Sequence, residues 1–279
     1  MAIWKSSASS CGGGFDPTYR FATSWVLPPA VLFFVRALLS LYAFVTLFFN
    51  FGWNGTHGGD VDSRRSFSYF TILTYWGLAF YFAFAALHTG SYWRTGKPFL
   101  NRWSSPLRWA HSAFYATIVV YPFIVTAVFW ALLAPENGFP TTKDLWSNTS
   151  QHALNSVYAL FEIIFPRTEP LAFVHIIPII IILALYLSLA YLTHYLQGWY
   201  SYDFLDLEKH SSGVVAGYIM GILVGSIIIF LIVKYIIVLR VWLTERKFGM
   251  MGKFSSHHQP GTNDEEMGEH VQMHNLGIK

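Results

Sequence analysis

The chain has 279 residues, of which 54% are hydrophobic, 19% aromatic and only 12% charged, with a formal net charge of +3. A soluble domain carries about a quarter charged residues, so this composition speaks against a soluble globular enzyme and for long apolar runs that cross a bilayer. The basic residues flank those runs and form no patch for nucleic acid, and the single cysteine, Cys11, excludes an internal disulfide.

The first 24 residues are polar, with a flexible SSASSCGGG stretch. They contain no apolar core, so no cleavable signal peptide is expected and the first apolar run serves as the anchor. Six apolar runs follow, at about 25–50, 67–89, 109–134, 149–165, 171–197 and 214–242. The expected fold is all-α, a polytopic bundle of six transmembrane helices over 25–248. It lies between a flexible cytosolic segment, 1–24, and a polar tail, 249–279, that lacks apolar periodicity and is expected to be disordered. His257, His258, His270 and His274 in that tail stand without a cysteine or a recognised ligand spacing, so neither a metal nor a cofactor is expected.

Alternate loops fall on opposite sides of such a bundle. One side collects Lys5, Arg20, Arg94, Lys97, Arg102, Arg108, Arg167, Arg240, Arg246, Lys247, Lys253 and Lys279; the other has Arg64, Arg65, Lys143 and Lys209. This bias places both termini in the cytosol. The two N-x-S/T sequons, at Asn54 and Asn148, fall in loops on the other side.

Polar residues within the runs are the candidate functional groups, because lipid cannot solvate them. The first run contains Arg36. The second opens with Thr71 and Thr74, one helical turn apart. The third and fifth contain Pro122 and Pro178, whose freed carbonyls require protein partners. The fourth carries His152, Asn155 and Glu162 along one side of a helix. The fifth ends with His194, and the sixth has Gly213, Gly217, Gly221 and Gly225 in a ridge. Such a ridge packs against another helix of the bundle or, as the alternative, against a second copy through Gly217, Gly221 and Gly225.

Counted from the outer ends of their runs at about 1.5 Å per residue, Arg36 lies about 21 Å deep and Glu162 about 16 Å, within reach of one ion pair. Thr71, Thr74, His152, Asn155 and His194 gather near the outer end. They supply a hydroxyl nucleophile with imidazole bases, or a threonine bonded to its own helix and histidines that meet headgroups.

Several short motifs resemble the androgen-induced protein family, six-span membrane proteins that include threonine hydrolases of fatty acid esters of hydroxy fatty acids. Others resemble the related rolling stone proteins. Tyr69-Phe70-Thr71 is similar to the hydrolases' Tyr-x-Thr, whose threonine is the nucleophile. Leu73-Thr74-Tyr75-Trp76-Gly77 resembles a rolling stone segment. Phe129-Trp130 is similar to the pair that ends the family's third span, and Gly198-Trp199-Tyr200 to the segment after its fifth. Where the hydrolases have Asn-His-x-x-His-Thr, with a catalytic second histidine, this chain has Gln151-His152-Ala153-Leu154-Asn155-Ser156. Asparagine cannot accept a proton as imidazole does, and rolling stone proteins have a similar His-x-x-Asn. The resemblance therefore implies the six-span fold. It leaves two functions: a non-catalytic membrane protein whose polar stripe holds the bundle together or binds a lipid or a partner, or a lipid ester hydrolase using Thr71 or Thr74 with His152, supported by Asn155, Glu162, Arg36 and His194.

Overall fold

The computed structural model of the protein describes Asp16 and residues 18–250. Cys11 with its glycine-serine stretch, and the tail from residue 251 with its histidines, lie outside the described residues. The regular elements of the described residues are helical, with one isolated β-bridge between Ser24 and Pro166. They are α1 (Pro29–Thr56), α2 (Asp60–Arg65), α3 (Phe70–Thr95), α4 (Ser105–Val128), α5 (Thr142–Thr149), α6 (Asn155–Ile164), α7 (Ile176–Gln197) and α8 (Ser212–Val241). Wider π turns continue α4 over Phe129–Leu133, join α5 to α6 over Ser150–Leu154 and extend α8 over Trp242–Lys247. Short 3₁₀ turns connect several of the helices.

Local chemistry sets the boundaries. Proline in the first turn opens α1 and α4, where its missing N–H is no loss. Gly96 and Gly198 close α3 and α7 in the left-handed conformation, at φ 70° and 74°, and each donates its N–H to a carbonyl of the last turn. Thr141 caps α5, accepting from the Asp144 N–H at 3.1 Å and donating to the Asp144 carboxylate at 2.8 Å.

Five helical stretches are long and apolar enough to cross a membrane: Pro29–Thr56, Phe70–Thr95, Ser105–Leu133, Phe173–Gln197 and Ser212–Lys247. They mark an integral membrane protein. The expected fourth span is not among them. Its helix begins earlier, at Thr142, with a polar capped turn, then widens at 150–154, so its regular apolar part is only the ten residues of α6.

The rods alternate in direction. At one end, the segment leading into α1, the end of α3, the loop after α6 and the end of α8 come together. Arg167 donates its N–H to the Thr23 carbonyl at 3.0 Å, Ser24 bonds the Phe165 carbonyl at 2.5 Å, and Arg20 pairs with Glu245. Thr23 and Ser24 are buried, so the flexibility expected of 1–24 does not extend to them. At the other end lie the turns 57–69, 134–141 and 198–211. Helix α1 lies along α3, close enough that a Cβ on Gly90 would meet the Phe33 ring at 2.9 Å. The core is rich in tyrosine, and the hydroxyls bond between helices, Tyr158 to the Leu39 carbonyl at 3.0 Å and Tyr121 to that of Ile179 at 2.8 Å, or from a helix to a loop, Tyr115 with Thr168 at 2.7 Å. Without a hydrophobic driving force between helices in lipid, such bonds and close packing hold the bundle.

Two sequence expectations are corrected here. Nothing lies within 4 Å of where a Cβ would stand on Gly213, Gly217, Gly221 or Gly225. The ridge therefore faces outward and does not pack inside the bundle; α8 buries itself along another face, through Ser226, Phe230, Val233 and Ile237. Pro178 frees no carbonyl within a helix, because α7 starts at Ile176 and leaves Pro178 in its first turn, where N–H groups have no partner in the helix.

Candidate functional site at the α3, α4 and α6 ends

Arg36 and Glu162 are both fully buried and meet side by side, Nε to Oε1 and Nη2 to Oε2, each at 2.8 Å. The remaining Arg36 nitrogen, Nη1, donates to Thr89 Oγ1 at 2.6 Å and to the Phe21 carbonyl at 2.8 Å, while the Tyr81 hydroxyl donates to Glu162 at 3.2 Å. Each charge inside the bundle thus has an opposite charge and further hydrogen bonds, which a buried pair requires. The group belongs to the same half of the bundle as the docked N-terminal segment, and no cavity of the site below includes it.

Asn155 points to α4. Its Oδ1 accepts from Thr126 at 3.0 Å and from the Ser156 N–H at 2.7 Å, and its Nδ2 reaches the Pro122 carbonyl at 3.4 Å. Ser156 bonds the same carbonyl at 3.2 Å and Thr126 at 2.7 Å. Asn155 therefore fastens α6 to the proline turn of α4. Thr74 bonds the carbonyls of Phe70 and Thr71 in its own helix, at 2.9 and 3.0 Å. His194 stacks on Tyr200, with ring centres 3.8 Å apart, and does not line the cavity that Thr71 and His152 share.

Thr71 and His152 are brought together more loosely. Both line a cavity of about 420 Å³ bounded also by Asn50, Ser147, Gln151 and Tyr202. No hydrogen bond joins the two side chains. The His152 ring lies flat on Phe129, with centres 3.6 Å apart and planes 5° from parallel, and its Nδ1 is buried without a partner. Two π turns face each other here, since Phe129 and His152 belong to different ones and Trp130 donates to the His152 carbonyl at 3.1 Å. The widened turns open the helix ends into the cavity wall, a recurring use of π turns at functional sites. The Tyr202 hydroxyl stands 3.5 Å from the Thr71 N–H, one of the donors left over at the start of α3. At the rim, a hydrogen bond from Lys209 holds the Asp203 carboxyl below the usual carboxylate range.

Beneath this polar chamber lies an apolar slot of about 280 Å³ between α4, α7 and α8, lined by residues such as Ile124, Leu183, Leu187 and Ile222. Thr71, Phe129, Leu133 and Tyr202 border both spaces.

Sequence reasoning missed Asn50, Ser147 and Tyr202. Asn50 and Ser147 are single polar residues near helix ends, where water contact is the ordinary reading, and Tyr202 lies in a loop. Gln151, beside His152, extends the polar stripe and was the available signal. Elsewhere, His88 and His111 are buried with ring centres 5.0 Å apart. Among the described residues no three His, Cys, Asp or Glu side chains converge as a metal centre would need. Compared with known proteins, the chain matches no family model, no curated protein and no solved structure, so the reading of this site rests on its own geometry.

Proposed function

We propose that the chain is a six-span membrane protein of the androgen-induced and rolling stone type, with both termini cytosolic, that holds one amphiphilic lipid and does no chemistry on it. The headgroup occupies the polar chamber and the tail enters the apolar slot. The carrying observation is that the two spaces share Thr71, Phe129, Leu133 and Tyr202. A polar compartment opening onto an apolar one matches the two halves of an amphiphile and suits neither a wholly polar nor a wholly apolar ligand.

The second reading, a threonine ester hydrolase, draws on Thr71 and His152 lining one chamber. A base that removes a hydroxyl proton needs that proton within reach and a partner for its other nitrogen. His152 has neither, since its Nδ1 lacks a partner and its ring is held by Phe129. Asn155, which would supply the family's imidazole, is engaged by Thr126, Ser156 and Pro122.

The test is lipid carried by purified protein, wild type against Thr71→Trp, which fills the junction, and Leu183→Trp, which fills the slot alone. Both variants are expected to retain less bound lipid than wild type while unfolding at a similar temperature. Unchanged lipid content in both would sink the proposal. An ester-hydrolysis signal lost in Thr71→Ala and His152→Ala would replace it with the hydrolase.

A further inference from the structure

The amide side chains of the chamber carry information about the headgroup. Ser147 Oγ is contacted by two of them, Asn50 Nδ2 at 2.9 Å and Gln151 Nε2 at 3.0 Å. A serine hydroxyl has one proton, so it can satisfy one amide carbonyl at most. At least one of these amides must therefore donate to Ser147 and leave its oxygen without that partner. Asn50 Oδ1 is buried with no hydrogen bond. Another of the four amides on the lining allows no choice: Asn148 lies 2.9 Å from the Asp144 backbone carbonyl, which only accepts, so its NH₂ is used there and its oxygen is the end left to accept.

The charged groups on the lining point the same way. Asp62 contributes a carboxylate, Asp203 one that Lys209 already pairs with, and the Lys143 ammonium is 3.7 Å from Asp144. Beside hydroxyls that can donate or accept, such as those of Ser66, Tyr69 and Ser201, the chamber thus offers amide and carboxylate acceptors, and among the described residues its lining has no unpaired cation to receive a phosphate or a free carboxylate. An acceptor-rich wall needs donors from its ligand, and it disfavours an anion by like charge and by unmet carbonyls.

We propose that the headgroup held here is uncharged and presents hydroxyl or amide N–H donors, as in a monoacylglycerol or a ceramide, and that lipids ending in a phosphate or a free carboxylate are rejected. This inference rests on the lipid-binding reading given above and narrows it to one class of lipid.

The experiment measures binding of four probes to the full chain in detergent by competition: a monoacylglycerol, a ceramide, the fatty acid of the same chain length and a phosphatidic acid. The two uncharged probes are expected to bind at least about tenfold more tightly than the two anions. Asn148→Lys, which places a cation where an acceptor stood, is expected to narrow that gap through tighter anion binding. Asn50→Leu is expected to weaken the two uncharged probes and not the anions; its unfolding temperature separates lost binding from lost folding. Anions binding as tightly as the uncharged lipids overturns this inference and leaves the lipid site standing. Binding of none of the four overturns the lipid reading and this inference with it.

Discussion

Asn155 and Glu162 belong to one stripe in the sequence, yet in the folded chain each has a different purpose. Glu162 neutralises Arg36, and the depth of the two residues counted along their helices already allowed that contact. Removing one member leaves the other charge buried and unpaired, so Arg36→Met is expected to cost about 3–5 kcal/mol, measured by unfolding in detergent. The double change Arg36→Met with Glu162→Met is expected to recover most of that loss, since it removes both buried charges; a double variant as unstable as the single one would contradict the account. Asn155 was legible as an interior polar group but not as a clamp, because its partners, Thr126 and the Pro122 carbonyl, lie on a helix whose rotation the sequence does not specify. Asn155→Ala removes one of two side-chain partners from Thr126 and from that carbonyl, Ser156 remaining as the other, a loss of about 0.5–1.5 kcal/mol. Asn155→Asp keeps the acceptor for Thr126 but buries an unpaired carboxylate against that carbonyl, and is expected to rescue little of it.

At the scale of elements, most of the helices follow directly from hydropathy, and the difficult region is 142–164. Apolar content there begins after Thr149, so counting starts the helix too late. The true start is marked by Thr141 and Asp144, a capping pair in a polar stretch. Thr141→Ala is expected to cost about 1 kcal/mol and to show first in faster amide exchange within α5. The π turns had no signature in composition, because their extra residue is stabilised by contacts between elements: Phe129 with His152 and Trp130 with the His152 carbonyl. The glycine ridge failed as a packing signal for a related reason. Small residues permit close approach without compelling it, and α8 turned Phe230 and its neighbours to the bundle instead. Gly221→Leu should therefore change stability by no more than about 0.5 kcal/mol, read from thermal unfolding in detergent. A larger loss would place a helix on that ridge after all.

For the whole molecule, the alternation of rods separates two unlike ends. One is tied by Arg20, Arg167 and Glu245 and by the docked segment before α1. The other contains the chamber, with both sequon asparagines on its lining. Tags on the two termini are expected to be reached only from the cytosolic side, in keeping with the basic bias of that end; a tag labelled from the opposite face of sealed membranes would contradict the proposed orientation. The most direct measurement for the lipid site is photocrosslinking with a monoacylglycerol that carries its photoreactive group near the end of the acyl chain, followed by peptide mapping. Labelling concentrated on the α4, α7 and α8 walls of the slot, around Ile124, Leu183, Leu187 and Ile222, and lost on Thr71→Trp, is the predicted result. Labelling spread evenly over the outward faces of the bundle, or unchanged in Thr71→Trp, would contradict it.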